Sequence, residues 1–304
     1  MKKIAFLICL FCLGHTPLSA IAELVEDAAK DCSSCSEWNR PQAPFRVHGN
    51  TWYVGTQGLA SILVVTDAGL ILIDGALSQS ARLIERNIRQ AGFDPLDIKY
   101  ILNSHSHFDH AGGISALQRH TGAQVLASEG SVDVLRSGEL AADDPQFGFG
   151  VEANRFPAID NVEQIADRAA LTLGDTTLTA YYTPGHTPGG TTWTWQSCEG
   201  SSCLNMVYAD SLSPVSADGF LFTDPGASPN DAELISNSIA LVRDLPCDIL
   251  MAPHPFLVQM EEKLAELAAN PGTHPFIDSG ACAGYADFFA DWLARRQAEE
   301  SREK

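Results

Sequence analysis

The chain has 304 residues, 45% of them hydrophobic, and a formal net charge of −19 at pH 7. So acidic a chain has no basic stripe with which to grip nucleic acid or an anionic membrane, which excludes both as partners. Its length and apolar content suit one large α/β domain with a sizeable core.

In chain order, Lys2 and Lys3 form a basic start, residues 4–13 a short apolar run, and Ala20-Ile21-Ala22 a small-x-small cleavage site. These are the three parts of a secretory signal peptide. Residues 1–22 are therefore expected to be removed, leaving 23–304 as a single periplasmic domain, expected to be monomeric. The apolar run is too short to span a bilayer, and no later segment is long and apolar enough. Bulky Phe11 before Cys12 speaks against a lipid anchor. Removal of the signal leaves Cys32, Cys35, Cys198, Cys203, Cys247 and Cys282. An even number in an exported chain suggests disulfides. Cys198 and Cys203 flank a turn-like Glu-Gly-Ser-Ser, so a local bridge is plausible; Cys247 with Cys282 would then tie a strand start to the C-terminal region. Cys32 and Cys35 remain as a close pair, and sequence alone leaves the connectivity open.

Residues 23–48 read as an irregular, proline-containing lead-in. Strand-like runs follow at 51–55, 61–66 and 70–74, separated by glycines. Residues 78–92 carry Ala81, Ile84, Ile88 and Ala91 at helical spacing. A short buried strand at 100–102 ends at Asn103-Ser104, and 113–120 looks helical. Residues 138–165 lack periodicity and contain Asp-Asp-Pro, which predicts a long loop of the kind that walls a site. Strands recur at 171–173, 177–183, 191–194 and 206–208, then a helix at 231–243, a strand at 248–251, and helices near 256–268 and 284–298. Strands grouped first and helices after, twice over, predict two sheets stacked face to face with helices outside.

The chemistry concentrates in His105-Ser106-His107-Phe108-Asp109-His110, directly after the 100–102 strand. Four ligand-type side chains in six residues at a strand end are improbable by chance. Histidine and aspartate are ordinary zinc ligands. Two divalent ions about 3.5–4 Å apart can share one bridging hydroxide. His186, in Thr183-Pro184-Gly185-His186-Thr187-Pro188-Gly189-Gly190, and His254, in Met251-Ala252-Pro253-His254-Pro255, each follow a strand in a turn stiffened by proline or glycine. Alone, each reads as an ordinary turn histidine; beside the first cluster they read as further ligands. His15, His48, His120 and His274 have no such context.

The HxHxDH pattern, the histidine in TPGHTPG and the late strand-end histidine together resemble the metallo-β-lactamase superfamily. Asn50-Thr51-Trp52-Tyr53-Val54-Gly55, Trp193-Thr194-Trp195, Tyr208-Ala209-Asp210-Ser211-Leu212-Ser213 and Pro253-His254-Pro255 resemble the third subclass of class B β-lactamases. The resemblance runs from about residue 37 to about 285. It implies an αβ/βα sandwich and two Zn2+ ions, the first on His105, His107 and His186, the second on Asp109, His110 and His254. It further implies Asp109 as the residue orienting the attacking hydroxide, and Ser211 and Ser213 as contacts for the substrate carboxylate. The implied activity is hydrolysis of β-lactam antibiotics, carbapenems included, by attack of a zinc-bound hydroxide without an acyl-enzyme, with antibiotic resistance as the outcome. Gln57 stands where some relatives carry a cysteine paired with the N-terminal segment, which leaves the role of Cys32 and Cys35 open. Two other readings stand beside this one: a zinc-dependent thioesterase or lactonase on the same fold, with Asp210 bridging the metals, and a non-catalytic periplasmic zinc-binding protein. Ser301-x-x-Lys304 is read as chance, since a frayed end cannot hold a nucleophile.

Overall fold

A computed structural model describes residues 23–224 and 231–302. The expected signal peptide and Lys304 lie outside the described residues. The first sheet has seven strands in sequential order: β1 (Phe45–His48), β2 (Thr51–Tyr53), β3 (Ile62–Thr66), β4 (Gly69–Ile73), β5 (Ile98–Leu102), β6 (Gln124–Ala127) and β7 (Val162–Gln164). It is antiparallel through β4 and parallel from there to β7. The second sheet has five strands: β8 (Ala170–Leu173), β9 (Thr176–Tyr182), β10 (Thr191–Glu199), β11 (Ser202–Tyr208) and β12 (Ile249–Met251). Its order runs β12-β11-β10-β9-β8, antiparallel except for the β11–β12 pair.

Period-two alternation sorts the strand side chains into layers. On β4, Leu70 and Leu72 pack outward against α2 (Ala81–Gln90) and α4 (Ile114–Thr121), while Ile71 and Ile73 face the second sheet. Trp193, Trp195, Met206 and Tyr208 meet them from the other side. On the far face of the second sheet, Val207 and Leu250 pack with Ile235 and Ile239 of α7 (Asp231–Asp244) and Phe289 of α9 (Ala281–Arg302). The result is the expected sandwich of two mixed sheets with helices on the outer faces. Trp193 and Tyr208 are fully buried at its centre.

The helix expected over 78–92 begins with a tighter turn at Ser78–Ser80 and becomes α2. Its one buried polar side chain, Asn87, donates to the carbonyls of Gln42, Val54 and Gly55, which is why an amide is tolerated on the inner face. The lead-in contains β1, and β6 and the helix α5 (Glu129–Ser137) occupy stretches for which the sequence pattern predicts no element. Residues 138–165 hold two short helical turns and β7. The expected 256–268 helix starts later, as α8 (Met260–Ala269), because Gln259 adopts a left-handed conformation (φ 55°) that interrupts it. All three cysteine pairs are bridged: Cys32–Cys35, Cys198–Cys203 and Cys247–Cys282.

The strand directions decide where loops can converge. β9, β11 and β12 run the same way, so their C-terminal ends share one rim of the second sheet. Thr191 N donates to Ser104 O (2.7 Å) and Trp193 Nε1 to Asn103 O (3.0 Å), which brings the end of β5 to that rim.

Candidate metal centre

Asp74 and Gly75, at the end of β4, build the floor. Asp74 has φ 63° and is fully buried. It accepts hydrogen bonds from Ser104 N (2.7 Å), Ser104 Oγ (2.6 Å), Asn103 Nδ2 (3.1 Å) and Tyr208 Oη (2.7 Å). Burial pushes its carboxyl up, while nearby His110 and these donors pull it down. Beneath the His105–His110 loop, a Cβ on Gly113 would collide with the carbonyl of Gly75, so only glycine lets the two loops seat against each other.

On this floor all six sequence-predicted ligands come together. The imidazoles of His105, His107, His110, His186 and His254 form a continuous cluster, with neighbouring ring centroids 4.3–5.0 Å apart. Ligand atoms of His105, His107 and His186 lie within 4.8 Å of one another, as do those of His105, Asp109 and His110. His254 joins through Asp109: Oδ2 lies 3.3 Å from His110 Nε2 and 3.4 Å from His254 Nε2. The ring of Trp38, from α1 (Cys35–Trp38), sits 5.3 Å from that of His254, and Phe256 flanks it on another side at 5.6 Å.

The outer nitrogens of three histidines are occupied. His105 Nδ1 lies 2.8 Å from Asp210 Oδ1. His107 Nε2 lies 3.2 Å from both oxygens of Asp144. His186 Nδ1 lies 3.0 Å from both the carbonyl oxygen and the hydroxyl of Ser213. Such partners fix which ring nitrogen is free to bind a metal. His105 Nε2 is left buried with no hydrogen-bond partner. An orphaned imidazole nitrogen among histidines and a carboxylate is what a divalent cation of zinc type would satisfy.

The electrostatics favour the neutral ring at His105 and His186, whereas at His110 burial is outweighed by Asp109 and Asp74, which raise that imidazole. Burial, then the neighbouring rings, holds His105 well below the usual histidine range, and burial with His107 beside it brings His186 down to about 3. Burial opposes charge on Asp109, but His110 and His254 outweigh it and hold that carboxyl well below its ordinary range. Asp210 is fully buried, which pushes its carboxyl well up.

Ser211 is 3% exposed, and Ser213, half-buried, is engaged by His186. Sequence reasoning missed Asp74 and Asp144. For Asp74 a signal was available: an Asp-Gly closing an all-apolar strand is costly inside a core unless it caps a functional loop. Asp144 lies in the loop anticipated as a site wall, but nothing in Asp-Asp-Pro says which acid turns inward.

A structure of MEM-A1, a subclass B3 metallo-beta-lactamase isolated from a soil metagenome library, superposes with a TM-score of 0.84 and is 45% identical, covering 88% of this chain and 100% of that one. A model of the metallo-beta-lactamase superfamily matches residues 55–199. The chain belongs to the metallo-beta-lactamase superfamily. By that membership and its subclass B3 likeness it is a hydrolase. Curated members match over shorter stretches. The hydroxyacylglutathione hydrolase of Anaeromyxobacter dehalogenans (strain 2CP-C) is 34% identical over 99 residues, 32% of this chain and 29% of that protein. The N-acyl homoserine lactonase AttM of Agrobacterium fabrum (strain C58 / ATCC 33970) is 33% identical over 106 residues, 34% of this chain and 37% of that protein. The chain thus spans about a third of the length of these two curated relatives.

Proposed function

We propose that this superfamily member is an exported, di-zinc β-lactamase of the B3 type that opens the amide of β-lactam antibiotics, carbapenems among them, and so confers resistance from the periplasm. The observation that carries the reading is the ligand set itself: six histidine and aspartate side chains converge while Asp210, the acid a bridging-carboxylate hydrolase would use, lies against His105 Nδ1. His105, His107 and His186 would hold one zinc, and Asp109, His110 and His254 the other.

Bound zinc supplies Lewis acidity and, by lowering the pKa of coordinated water to about 7, a nucleophile at neutral pH. Six ligands over two ions leave coordination positions open, which favours catalysis over a purely structural role. Asp109, kept anionic by His110 and His254, accepts a hydrogen bond from the attacking water and aims its lone pair at the lactam carbonyl. Ser211 and Ser213 take the substrate carboxylate. Ser213 Oγ lies 3.0 Å from His186 Nδ1, but the Ser213 carbonyl oxygen lies equally close to that nitrogen and takes its proton, and the other ring nitrogen is assigned to the metal, so the ring has no lone pair left to activate a serine. No acyl-enzyme is therefore invoked.

The second reading, a thioesterase or lactonase, is favoured by the likeness to the hydroxyacylglutathione hydrolase and the N-acyl homoserine lactonase. The deciding experiment is hydrolysis of a carbapenem, a cephalosporin, an acyl-glutathione thioester and an acyl-homoserine lactone by the purified protein, with and without chelator. β-Lactam turnover lost on chelation and restored by zinc is expected. Turnover of the thioester or lactone alone, or β-lactam hydrolysis that survives complete metal removal, would overturn the proposal.

A further inference from the structure

Asp144 is a carboxylate with an unusual situation. It is 3% exposed, and among the described residues its one ion-pair partner is His107. Both oxygens lie 3.2 Å from His107 Nε2. The turn around it leaves little room to move: Oδ1 also accepts from Gln146 N (2.8 Å), Phe147 N donates to the Asp144 carbonyl (3.0 Å), and Ala217 N donates to the Pro145 carbonyl (2.9 Å). The acid is thus anchored to the 138–165 loop and to the segment following Ser213.

Its consequence lies in the choice of ring nitrogen. His105 and His186 are both engaged at Nδ1, so each has Nε2 free. His107 is engaged at Nε2, so it has Nδ1 free. A histidine with no outer partner could offer either nitrogen by turning its ring, and in each rotation the nitrogen lands in a different place. The acceptor on Nε2 forces that nitrogen to carry the proton and leaves the Nδ1 lone pair for the cluster.

We propose that Asp144 is a positioning residue for the metal centre: it locks His107 in the tautomer and ring orientation that present Nδ1, and it thereby ties metal affinity to the conformation of the 138–165 loop. The proposal rests on His107 being a ligand, as read above. Loss of an outer partner of this kind costs about 10–100-fold in metal affinity.

The test is zinc affinity of the full-length mature protein, measured by competition with a chromophoric chelator, alongside the visible absorption of the Co2+-loaded protein. Asp144→Ala is expected to weaken zinc binding about 10–100-fold and to alter the Co2+ spectrum. Asp144→Asn, whose amide oxygen can still accept from Nε2–H, is expected to fall between Ala and wild type, and it also serves should the alanine variant fold poorly. Asp143→Asn, removing an exposed neighbouring acid, is the control for general charge and should bind zinc as wild type does. Two results would sink the proposal: both Asp144 variants binding zinc with wild-type affinity and spectrum, or Asp143→Asn losing as much affinity as they do. His107→Ala separates this from the underlying reading. Retention of full zinc affinity by that variant would remove His107 from the ligand set altogether, whereas its loss with unaffected Asp144 variants would refute only the positioning role.

Discussion

Asp210 Oδ1 lies 2.8 Å from His105 Nδ1, at the nitrogen that a ligand bound through Nε2 does not use. The approach is tight: a Cβ on Gly190 would strike Asp210 Oδ2, so this glycine is what lets the acid sit there. Tyr285 Oη donates to the Asp210 carbonyl (3.0 Å) and Asp210 N to Thr192 Oγ1 (3.1 Å), holding the residue from behind.

From that relationship, Asp210→Asn at saturating zinc should keep the wild-type metal stoichiometry, because an amide can still accept from the imidazole. His254→Ala should lose one ion and most of the activity. Metal analysis of the two variants beside wild type is the check. Equal zinc loss in both would make Asp210 a direct ligand and move the assignment toward the thioesterase or lactonase reading.

Ser211→Ala should leave zinc content unchanged and raise KM for carboxylate-bearing β-lactams. One hydrogen bond to a charged group is worth about 1.5–3 kcal/mol, which caps the rise at roughly 10- to 100-fold. Steady-state kinetics with unchanged KM would remove Ser211 from the substrate site.

Inhibitors that acylate an active-site serine should leave the intact mass of the protein unchanged after incubation. Detection of a covalent adduct on Ser211 or Ser213 would contradict the water-attack mechanism.

The bridges should differ in worth. Cys247–Cys282 closes a separation of 35 residues and joins a buried residue before β12 to a buried one in the first turn of α9; Cys198–Cys203 closes 5 at a hairpin end. On loop entropy alone, removing the first by paired serine substitution should cost about 4 kcal/mol and the second about 2. Denaturant unfolding of the two double variants measures this, and a larger loss for the hairpin pair would show that chain entropy is not what governs them.

Glu300 offers a pH-dependent test. Its side chain is buried at 3% exposure and accepts from Phe222 N (3.2 Å), Thr223 N (2.9 Å), Thr223 Oγ1 (2.8 Å) and Arg296 Nε (2.7 Å). Burial works against the charge, but Arg296 and these donors prevail and lower the carboxyl from its ordinary 4.5. The folded state therefore binds the proton more weakly than the unfolded one. Stability from Glu300 is present above about pH 4.5 and is lost as pH falls through the depressed folded value. Glu300→Gln should cost about 1–2 kcal/mol at pH 7, and the gap from wild type should shrink in acid. A gap independent of pH down to acid unfolding would rule out the carboxylate's charge as its cause.

Much of the candidate site was legible because its proposed ligands are chemically loud and locally clustered: His105, His107, Asp109 and His110 fall within one strand-end loop, and His186 and His254 sit in turns that proline and glycine mark. The stacked sheets were legible from alternation on strands such as β4, where Leu70 and Leu72 oppose Ile71 and Ile73. What stayed hidden depends on tertiary position. Asp144 differs from Asp143 only in which way the backbone turns, and Trp38 reaches His254 from a segment with no periodic signal. Helix α5 was missed because Val132, Val134 and Leu135 do not keep a clean helical stripe, and it is burial against the first sheet that selects the helix.

The histidine cluster straddles the seam between the two sheets: His105, His107 and His110 come from the end of β5, while His186 and His254 come from the rim of β9 and β12. Neither half of the chain can assemble the full set by itself. On the proposed assignment each of the two ions would take two side chains from the β5 end and one from the rim of the second sheet, and so would act as a rivet through the sandwich, able to close only after both sheets have docked. Metal capture would thus report on the completeness of folding, and a chain stalled with one sheet formed would be left with a partial, weaker site.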